Sequence, residues 1–435
     1  MTPTIFALAT PPGRGAIAII RLSGPATDTA LADLGAPDLP PRLASLRTLR
    51  HQGRVLDQGL VLRFPAPNSY TGEDCAELQL HGGRAVVEAV SSALIDLGLR
   101  PAEPGEFTRR AFEHGRIDLT QAEAVADLID AETAQQAAQA LGQLDGALAQ
   151  TYAGFRRDLL TALALVEAEI DFPDENLPDA LASSAGPVLE RLSGSLAAAL
   201  ADGERGRRVR DGYCIVLIGE TNAGKSALFN ALVAREAAIV TEIAGTTRDV
   251  LDAQVVIGGY AVTLSDTAGL RDSEDPVEAE GVRRARARAE AADLRLWVLA
   301  AGDPLGEAQG LVRPADLVVL SKADQGTTVA PEGLESLAVS SLTGDGIDRL
   351  HDWLEVRLAH DLSGADFPAI TRERHRRRLE EAQVAVEAAR AVLSQAPELA
   401  GEDLRRAAEA LSRVTGAVGV EDILGEVFST FCIGK

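Results

Sequence analysis

Of the 42 basic residues in this 435-residue chain, only Lys225, Lys322 and Lys435 are lysines. A lysine kept among so many arginines implies a need for a compact ammonium on a flexible stem rather than a planar guanidinium. Lys225 lies in Gly219-Glu220-Thr221-Asn222-Ala223-Gly224-Lys225-Ser226, a full G-x-x-x-x-G-K-S phosphate loop. The loop amides from Asn222 to Ala227 and the helix start behind them favour phosphates, Lys225 neutralises β/γ oxygens, and Ser226 ligates Mg²⁺. Asp266-Thr267-Ala268-Gly269 has the D-x-x-G form that senses a γ-phosphate, and Thr246 or Thr247 supplies a switch threonine to the Mg²⁺ shell. Lys322 lies in Ser321-Lys322-Ala323-Asp324, close to the N-K-x-D that reads guanine. Asp324 can accept both the N1 and N2 hydrogens of guanine, which favours GTP over ATP. Backbone N–H groups of Ser340-Ser341-Leu342 can meet guanine O6.

Two departures stand out. Ser321 replaces the usual asparagine, which predicts a weaker brace on the phosphate loop. Leu270 follows Gly269 where Ras-like enzymes place the glutamine that orients water, so another group must do so. Acidic candidates in the next turn are Glu274, Asp275, Glu278 and Glu280.

The elements that must position these residues alternate strand and helix, the mark of a mostly parallel sheet. Strands are expected at Tyr213–Ile218, Ala253–Ile257, Ala261–Ser265, Leu294–Leu299, Leu317–Leu320 and Leu337–Val339, with Gly258-Gly259 turning an antiparallel hairpin. Residues 1 to about 117 look α+β, with strands at Ala16–Leu22, Leu60–Phe64 and Glu77–Leu80 and a helix at Val86–Leu97. From Leu119 the texture is Ala-rich and helical up to the break at Asp171-Phe172-Pro173, and it returns after Thr371 with a stripe of Ala382, Val386, Ala389 and Leu393. The expected class is multidomain α/β plus α: a Ras-like P-loop G domain (211–365) inserted into a helical domain (118–210 and 366–435), preceded by an α+β domain (1–117). Arginines crowd both junctions, either as solvated helix ends or as an RNA-contact patch.

Bulk numbers bound the function. A net charge of −23 argues against coating nucleic acid through an overall field. No apolar run approaches the length of a bilayer span, and three scattered cysteines fit a reducing cytosol. His51, His81 and His114 are isolated, as turn or packing residues rather than ligands.

Gly245-Thr246-Thr247-Arg248-Asp249, Asp266 to Arg271 and the ending Phe431-Cys432-Ile433-Gly434-Lys435 together resemble the MnmE (TrmE) family of tRNA-modification GTPases. So do Pro11-Pro12-Gly13-Arg14-Gly15, Ser69-Tyr70-Thr71-Gly72-Glu73-Asp74, His81-Gly82-Gly83 and Pro104-Gly105-Glu106-Phe107-Thr108 in the first domain. The resemblance implies a GTPase activated by K⁺ and by pairing of two G domains in a homodimer. It implies K⁺ ligands at Asn222, Thr241, Ile243 and Thr246, and Mg²⁺ ligands at Ser226 and Thr247. The nucleotide-facing segment would then include Thr241-Glu242-Ile243-Ala244-Gly245, and Glu278 would be the catalytic glutamate acting through water. A tetrahydrofolate derivative (the 5-formyl or 5,10-methylene form) is implied at Arg21, Glu77, Arg116 and Lys435. Cys432 is then either a reactive thiol near the donated carbon or a small apolar residue of a buried tail. Phe428, Phe431 and Ile433 make that tail apolar enough to dock, carried on a helix at Asp422–Val427. The implied partners are the flavoprotein MnmG (GidA) and tRNA, and the product is a 5-carboxymethylaminomethyl or 5-aminomethyl-type group on wobble uridine. The alternative is a regulatory or ribosome-assembly GTPase whose first domain only dimerises. A folate-dependent transferase acting alone leaves the complete GTPase unexplained.

Guanine choice resting on Asp324 is testable. Asp324→Asn exchanges an acceptor for a mixed donor/acceptor and should shift preference from GTP toward XTP. Hydrolysis of ATP alongside GTP by the wild-type chain would refute the guanine reading.

Overall fold

The computed structural model describes residues 2–171, 182–235, 251–266, 283, 286–300, 312–326, 333–364, 367–417, 424, 427–428, 431 and 434. The chain forms two compact units. One comprises Met1–Ala126, Leu144–Arg156 and Arg405–Lys435, the other Asp127–Gln143 and Arg157–Leu404.

The first unit is built on β1 (Ile5–Leu8), β2 (Ile17–Ser23), β3 (Ser45–His51), β4 (Arg54–Phe64), β5 (Cys75–His81) and β6 (Arg100–Pro101). They form one sheet in the order β3-β4-β5-β2-β1-β6, antiparallel except at the β1/β6 pair. Alternation explains its two faces. Ile20, Leu22, Leu78 and Leu80 bury one face with Leu31 of the helix Thr27–Asp33 and Val90 and Leu94 of Arg84–Asp96. Arg21 and Glu77, directly opposite one another in the β2/β5 register, lie on the other face. The expected strands are present, with β4 beginning six residues before the predicted Leu60. Its half-exposed first half carries Asp57 and Gln58, which hide the strand from a hydrophobicity reading. β1, β3 and β6 were not expected, being short or charge-rich.

The family motifs of this unit meet in pairs. Gly15 N–H donates to the Gly82 carbonyl at 3.2 Å, and a Cβ on Gly82 would sit 2.4 Å from the Gly15 carbonyl oxygen. Phe428 and Phe431 of the tail are buried with Leu119 and Ala122, and Phe112 and Ile117 pack against them. A Cβ on Gly434 would lie 2.3 Å from the Leu8 carbonyl oxygen, so only glycine allows that approach. The tail docks on its own unit, as its apolar content predicts. Most of the helix expected at Asp422–Val427 lies outside the described residues.

The second unit carries β7 (Tyr213–Ile218), β8 (Leu251–Ile257), β9 (Tyr260–Asp266), β10 (Leu294–Ala300), β11 (Leu317–Ser321) and β12 (Ser336–Ala338). Their order is β12-β11-β10-β7-β9-β8, parallel but for the β8/β9 hairpin, which turns at Gly258 and Gly259 with φ of 57° and 84°. All six strands match the sequence reading within two residues. Ile215, Leu217, Leu296, Val298 and Val319 form a core with Leu350 and Leu354 of the helix Ile347–Leu362. The helix Glu373–Val392 packs on Gly186–Ala201, and its predicted stripe of Ala382, Val386, Ala389 and Leu393 is buried. Junction arginines are largely spent on neighbouring carboxylates: Arg205 on Asp202, Arg207 and Arg376 on Glu204, Arg208 on Asp293, Arg210 on Asp211, Arg372 on Asp127, Arg377 on Glu373 and Arg378 on Glu381. That pattern supports solvated helix ends over an RNA patch. Among the described residues no helix is long and apolar enough to cross a membrane.

At the edge where β10 starts, Arg295 donates to both oxygens of Asp316 at 3.1 and 2.6 Å. Trp297 Nε1 and the Arg313 amide also donate to Asp316, at 2.9 and 2.7 Å. Both charges are buried, so losing one strands the other. Asp316→Ala should cost about 3–5 kcal/mol in urea unfolding of this unit. A loss under about 1 kcal/mol, the scale of a surface pair, would show that water reaches the guanidinium.

Candidate functional site

The phosphate loop joins β7 to the helix Lys225–Arg235 at the C-terminal edge of the parallel strands. Two non-glycine residues there, Asn222 (φ 65°) and Lys322 (φ 56°), adopt the left-handed region. Lys225 is buried, and its Nζ donates to the carbonyls of Gly219 at 3.1 Å and Glu220 at 2.8 Å. Burial pulls its pKa below the usual lysine value, while the nearby charge of Asp266 opposes that shift. Ser226 Oγ donates to Asp266 Oδ2 at 2.5 Å, while the buried Asp266 Oδ1 has no hydrogen-bond partner among the described residues. Asn222, Gly224, Lys225, Ser226, Ala227 and Lys322 line one open cavity of about 470 Å³.

Ser321 does brace the loop. Its hydroxyl donates to the Ala223 carbonyl, with the Leu299 carbonyl 3.1 Å away. The weakened brace expected from the missing carboxamide is thus a hydroxyl brace, made possible because Gly224 lets the loop approach: its Cβ would lie 3.3 Å from Ser321 Oγ. Lys322 Nζ adds a bond to the Asn222 carbonyl at 2.8 Å. Ala323 starts the short 3₁₀ turn that presents Asp324, whose Oδ1 accepts from Ser340 Oγ at 2.6 Å. Ser340, Ser341 and Leu342 follow β12, with Leu342 exposed. Thr241 to Thr247, Thr267, Ala268, Gly269, Leu270, Glu274, Asp275, Glu278, Glu280, Cys432 and Lys435 lie outside the described residues.

In the first unit, Arg21, Glu77 and Arg116 line a single cavity of about 500 Å³. Arg21 Nε and Nη2 both donate to Glu77 Oε1, at 3.1 and 2.9 Å, which leaves Oε2 open among the described residues. The Arg21 guanidinium lies 5.6 Å from the Tyr70 ring centroid and 5.9 Å from that of Phe107. Tyr70 OH pairs with Thr108 Oγ1 at 2.8 Å, and burial raises the phenol's pKa. Arg42, Phe64 and Asn68 complete the wall, and the sequence reading had not singled them out. Tyr70 lay within a quoted motif, whereas no local pattern marks Arg42. The isolated histidines have local partners, namely Asp96 for His51, Asp57 for His81 and the Thr71 carbonyl for His114.

A buried polar network holds this wall. Arg110, 3% exposed, donates to Glu73 Oε2 at 2.8 Å, Glu106 Oε1 at 2.9 Å and the Pro3 carbonyl at 2.9 Å. Glu73 also accepts from Ser23 Oγ at 2.7 Å. Glu106 takes two bonds from Arg100, at 2.8 and 2.6 Å, and one from the Glu103 amide at 2.9 Å. The motifs around Tyr70 and around Phe107 are therefore two halves of one ionic cluster.

A phosphate loop, a γ-phosphate aspartate and a guanine-type acidic turn at one strand edge define a Ras-like P-loop protein, joined here to helices and to an α+β unit with a cation-lined cavity. Residues 4–116 match the family described as "GTP-binding protein TrmE N-terminus", and residues 119–432 match "MnmE helical domain". The tRNA modification GTPase MnmE of Caulobacter vibrioides is 55% identical over 449 residues, covering 100% of both chains. The Maricaulis maris protein of that name is 53% identical over 440 residues, again covering 100% of both. That of Parvibaculum lavamentivorans is 52% identical over 439 residues, covering 99% of this chain and 100% of the relative. The chain belongs to the MnmE family of tRNA-modification GTPases.

The Glu106 cluster predicts a pH dependence. Burial opposes ionisation, but Arg100, the Glu103 amide and Arg110 overcome it and lower the Glu106 pKa from 4.5 to about 2. A depressed carboxylate stabilises the fold fully above its unfolded pKa and loses that contribution as pH falls through its folded pKa. The melting-temperature gap between wild type and Glu106→Gln should therefore be widest near neutrality and shrink between pH 4.5 and about 2. A gap independent of pH would place the carboxylate's contribution elsewhere.

Proposed function

We propose that this chain is a K⁺-dependent GTP hydrolase serving formation of a 5-carboxymethylaminomethyl or 5-aminomethyl-type group on tRNA wobble uridine, with a reduced folate as one-carbon donor. The observation that carries the hydrolytic half is Asp266. Among the described residues its buried Oδ1 has no partner while Oδ2 accepts from the Ser226 hydroxyl, a donor set that fits Mg²⁺. A Mg²⁺ ion bound there supplies charge neutralisation at the phosphate oxygens. Lys225 exchanges its backbone carbonyls for β/γ-phosphate oxygens, whose negative charge offsets the desolvation of the buried ammonium. Asp324, steadied through Oδ1 by Ser340, offers Oδ2 to the guanine edge.

Leu270 cannot hold a water, so we assign that task to Glu278, with Thr247 as the second protein ligand of Mg²⁺. A monovalent cation offsets charge developing on the phosphoryl group, as an arginine finger does elsewhere. Asn222 at the rim of the loop cavity fits such an ion in chemical type, and we add Thr241, Ile243 and Thr246 to its shell.

A tetrahydrofolate derivative supplies a one-carbon unit when held in the first unit's cavity. Glu77 Oε2 suits the paired N–H donors of a pterin edge, and Arg21 fixes that carboxylate from the other side. Arg116 suits a glutamyl carboxylate. The docked tail would bring Lys435 and Cys432 to the same unit. A second copy of the chain and the flavoprotein MnmG complete the proposed assembly on tRNA.

Turnover of GTP in K⁺ should exceed that in Na⁺ by about tenfold or more, the scale of one charge-stabilising contact. Asn222→Ala should erase the difference, and Glu278→Ala should lower turnover while GTP binding persists. Equal wild-type rates in the two salts would overturn the cation assignment.

A further inference from the structure

The sheet around Asp266 makes a side-chain bridge that neither the phosphate loop nor the guanine-side turn uses. In the β8/β9 register Leu251 stands opposite Asp266, and Asp252 stands opposite Ser265. β8 is an edge strand, so its backbone ladder holds it from one side only. Asp252 supplies a second hold. Its Oδ1 accepts from Ser265 Oγ at 2.7 Å and from Arg288 Nη1 at 2.9 Å. Ser265 is 3% exposed, so burial fixes the strand end of this bridge. The other end is fixed as well. Residues 286–291 are helical, and Ala289 among them is buried in a cluster with Val216, Ile218, Trp297 and Leu299.

The place of this pair in the chain ties it to hydrolysis. Asp252 follows Thr247 by five residues, and Arg288 follows Glu278 by ten. One ion pair therefore joins the chain leaving the proposed Mg²⁺ threonine to the chain leaving the proposed water-holding glutamate. The phosphate loop is braced separately, by Ser321 and Lys322. The Asp252 and Arg288 side chains are 33% and 40% exposed, so the pair is a modest tie that salt weakens.

We infer that Asp252 and Arg288 are positioning residues for GTP hydrolysis. Their ion pair fixes the start of β8 against the helical stretch that follows Glu278, and so raises turnover without strengthening nucleotide binding. The inference rests on the assignment of Glu278 as the residue that holds the attacking water.

Turnover and GTP affinity of the full-length protein in K⁺ test this. Asp252→Asn keeps an oxygen for Ser265 while removing the charge that Arg288 meets, and Arg288→Gln removes the other charge. Each should lower kcat about threefold, the scale of a partly exposed ion pair, while the Kd for GTP stays within about twofold. The double variant Asp252→Asn/Arg288→Gln should be no slower than either single one, because the second change removes a group whose partner is already gone. Unchanged kcat in both single variants, a loss of GTP affinity that matches the fall in kcat, or losses that multiply in the double variant would overturn the role of the pair. A wild-type rate in Glu278→Ala, measured beside them, would instead overturn the assignment on which the inference rests.

Discussion

A buried guanidinium is tolerable only when each of its donors is met, and Arg110 imposes that condition on the first unit. Its partners come from distant parts of the chain: Glu73 in the turn before β5, Glu106 at the start of its own helix, and the carbonyls of Pro3 and Ser23. Satisfying it brings β2, the turn at residues 69–74 and the helix Glu106–Glu113 into one arrangement. Tyr70 and Phe107 then flank Arg21, and the β2/β5 register sets Arg21 against Glu77. The cavity's shape is thus a consequence of charge satisfaction beneath it.

The second unit buries a lysine and an aspartate, Lys225 and Asp266, at one strand edge. Parallel strands deliver their C-terminal ends to one edge, so the loops after β7 and β11 and the last residue of β9, Asp266, meet there without sequence proximity. Gly219 permits the close pass beneath the loop, since a Cβ would lie 2.3 Å from the Val298 carbonyl oxygen. Ser321 and Lys322 then tie the guanine-side turn to the phosphate loop through Ala223 and Asn222. The two turns therefore share one scaffold.

Charge follows the same division of labour. The chain is strongly acidic, and the junction arginines that might have formed a nucleic-acid surface are mostly neutralised within a turn or across a helix pair. Arg42 and Arg116, which form no ion pair among the described residues, line the first unit's cavity.

Features whose partners are near in sequence, or that recur with a regular period, were legible from the residues. The phosphate loop, the guanine-side turn, the six strands of the second sheet, the Gly258-Gly259 hairpin and the apolar tail are of this kind. Each is set by local backbone needs or by hydrophobic alternation. Resemblance to the family also pointed to Arg21, Glu77 and Arg116, yet nothing in their spacing says that they share a cavity. Their meeting depends on strand register and on Arg110, contacts that span 37 residues to Glu73 and 56 between Arg21 and Glu77. Short strands β1, β3 and β6 escaped notice because burial of a neighbouring strand, rather than their own pattern, stabilises them. The partner of the Ser321 brace, the Ala223 carbonyl, and the place of Arg42 in the cavity wall lie outside that reading for the same reason: what a side chain touches across a fold has no period along the chain.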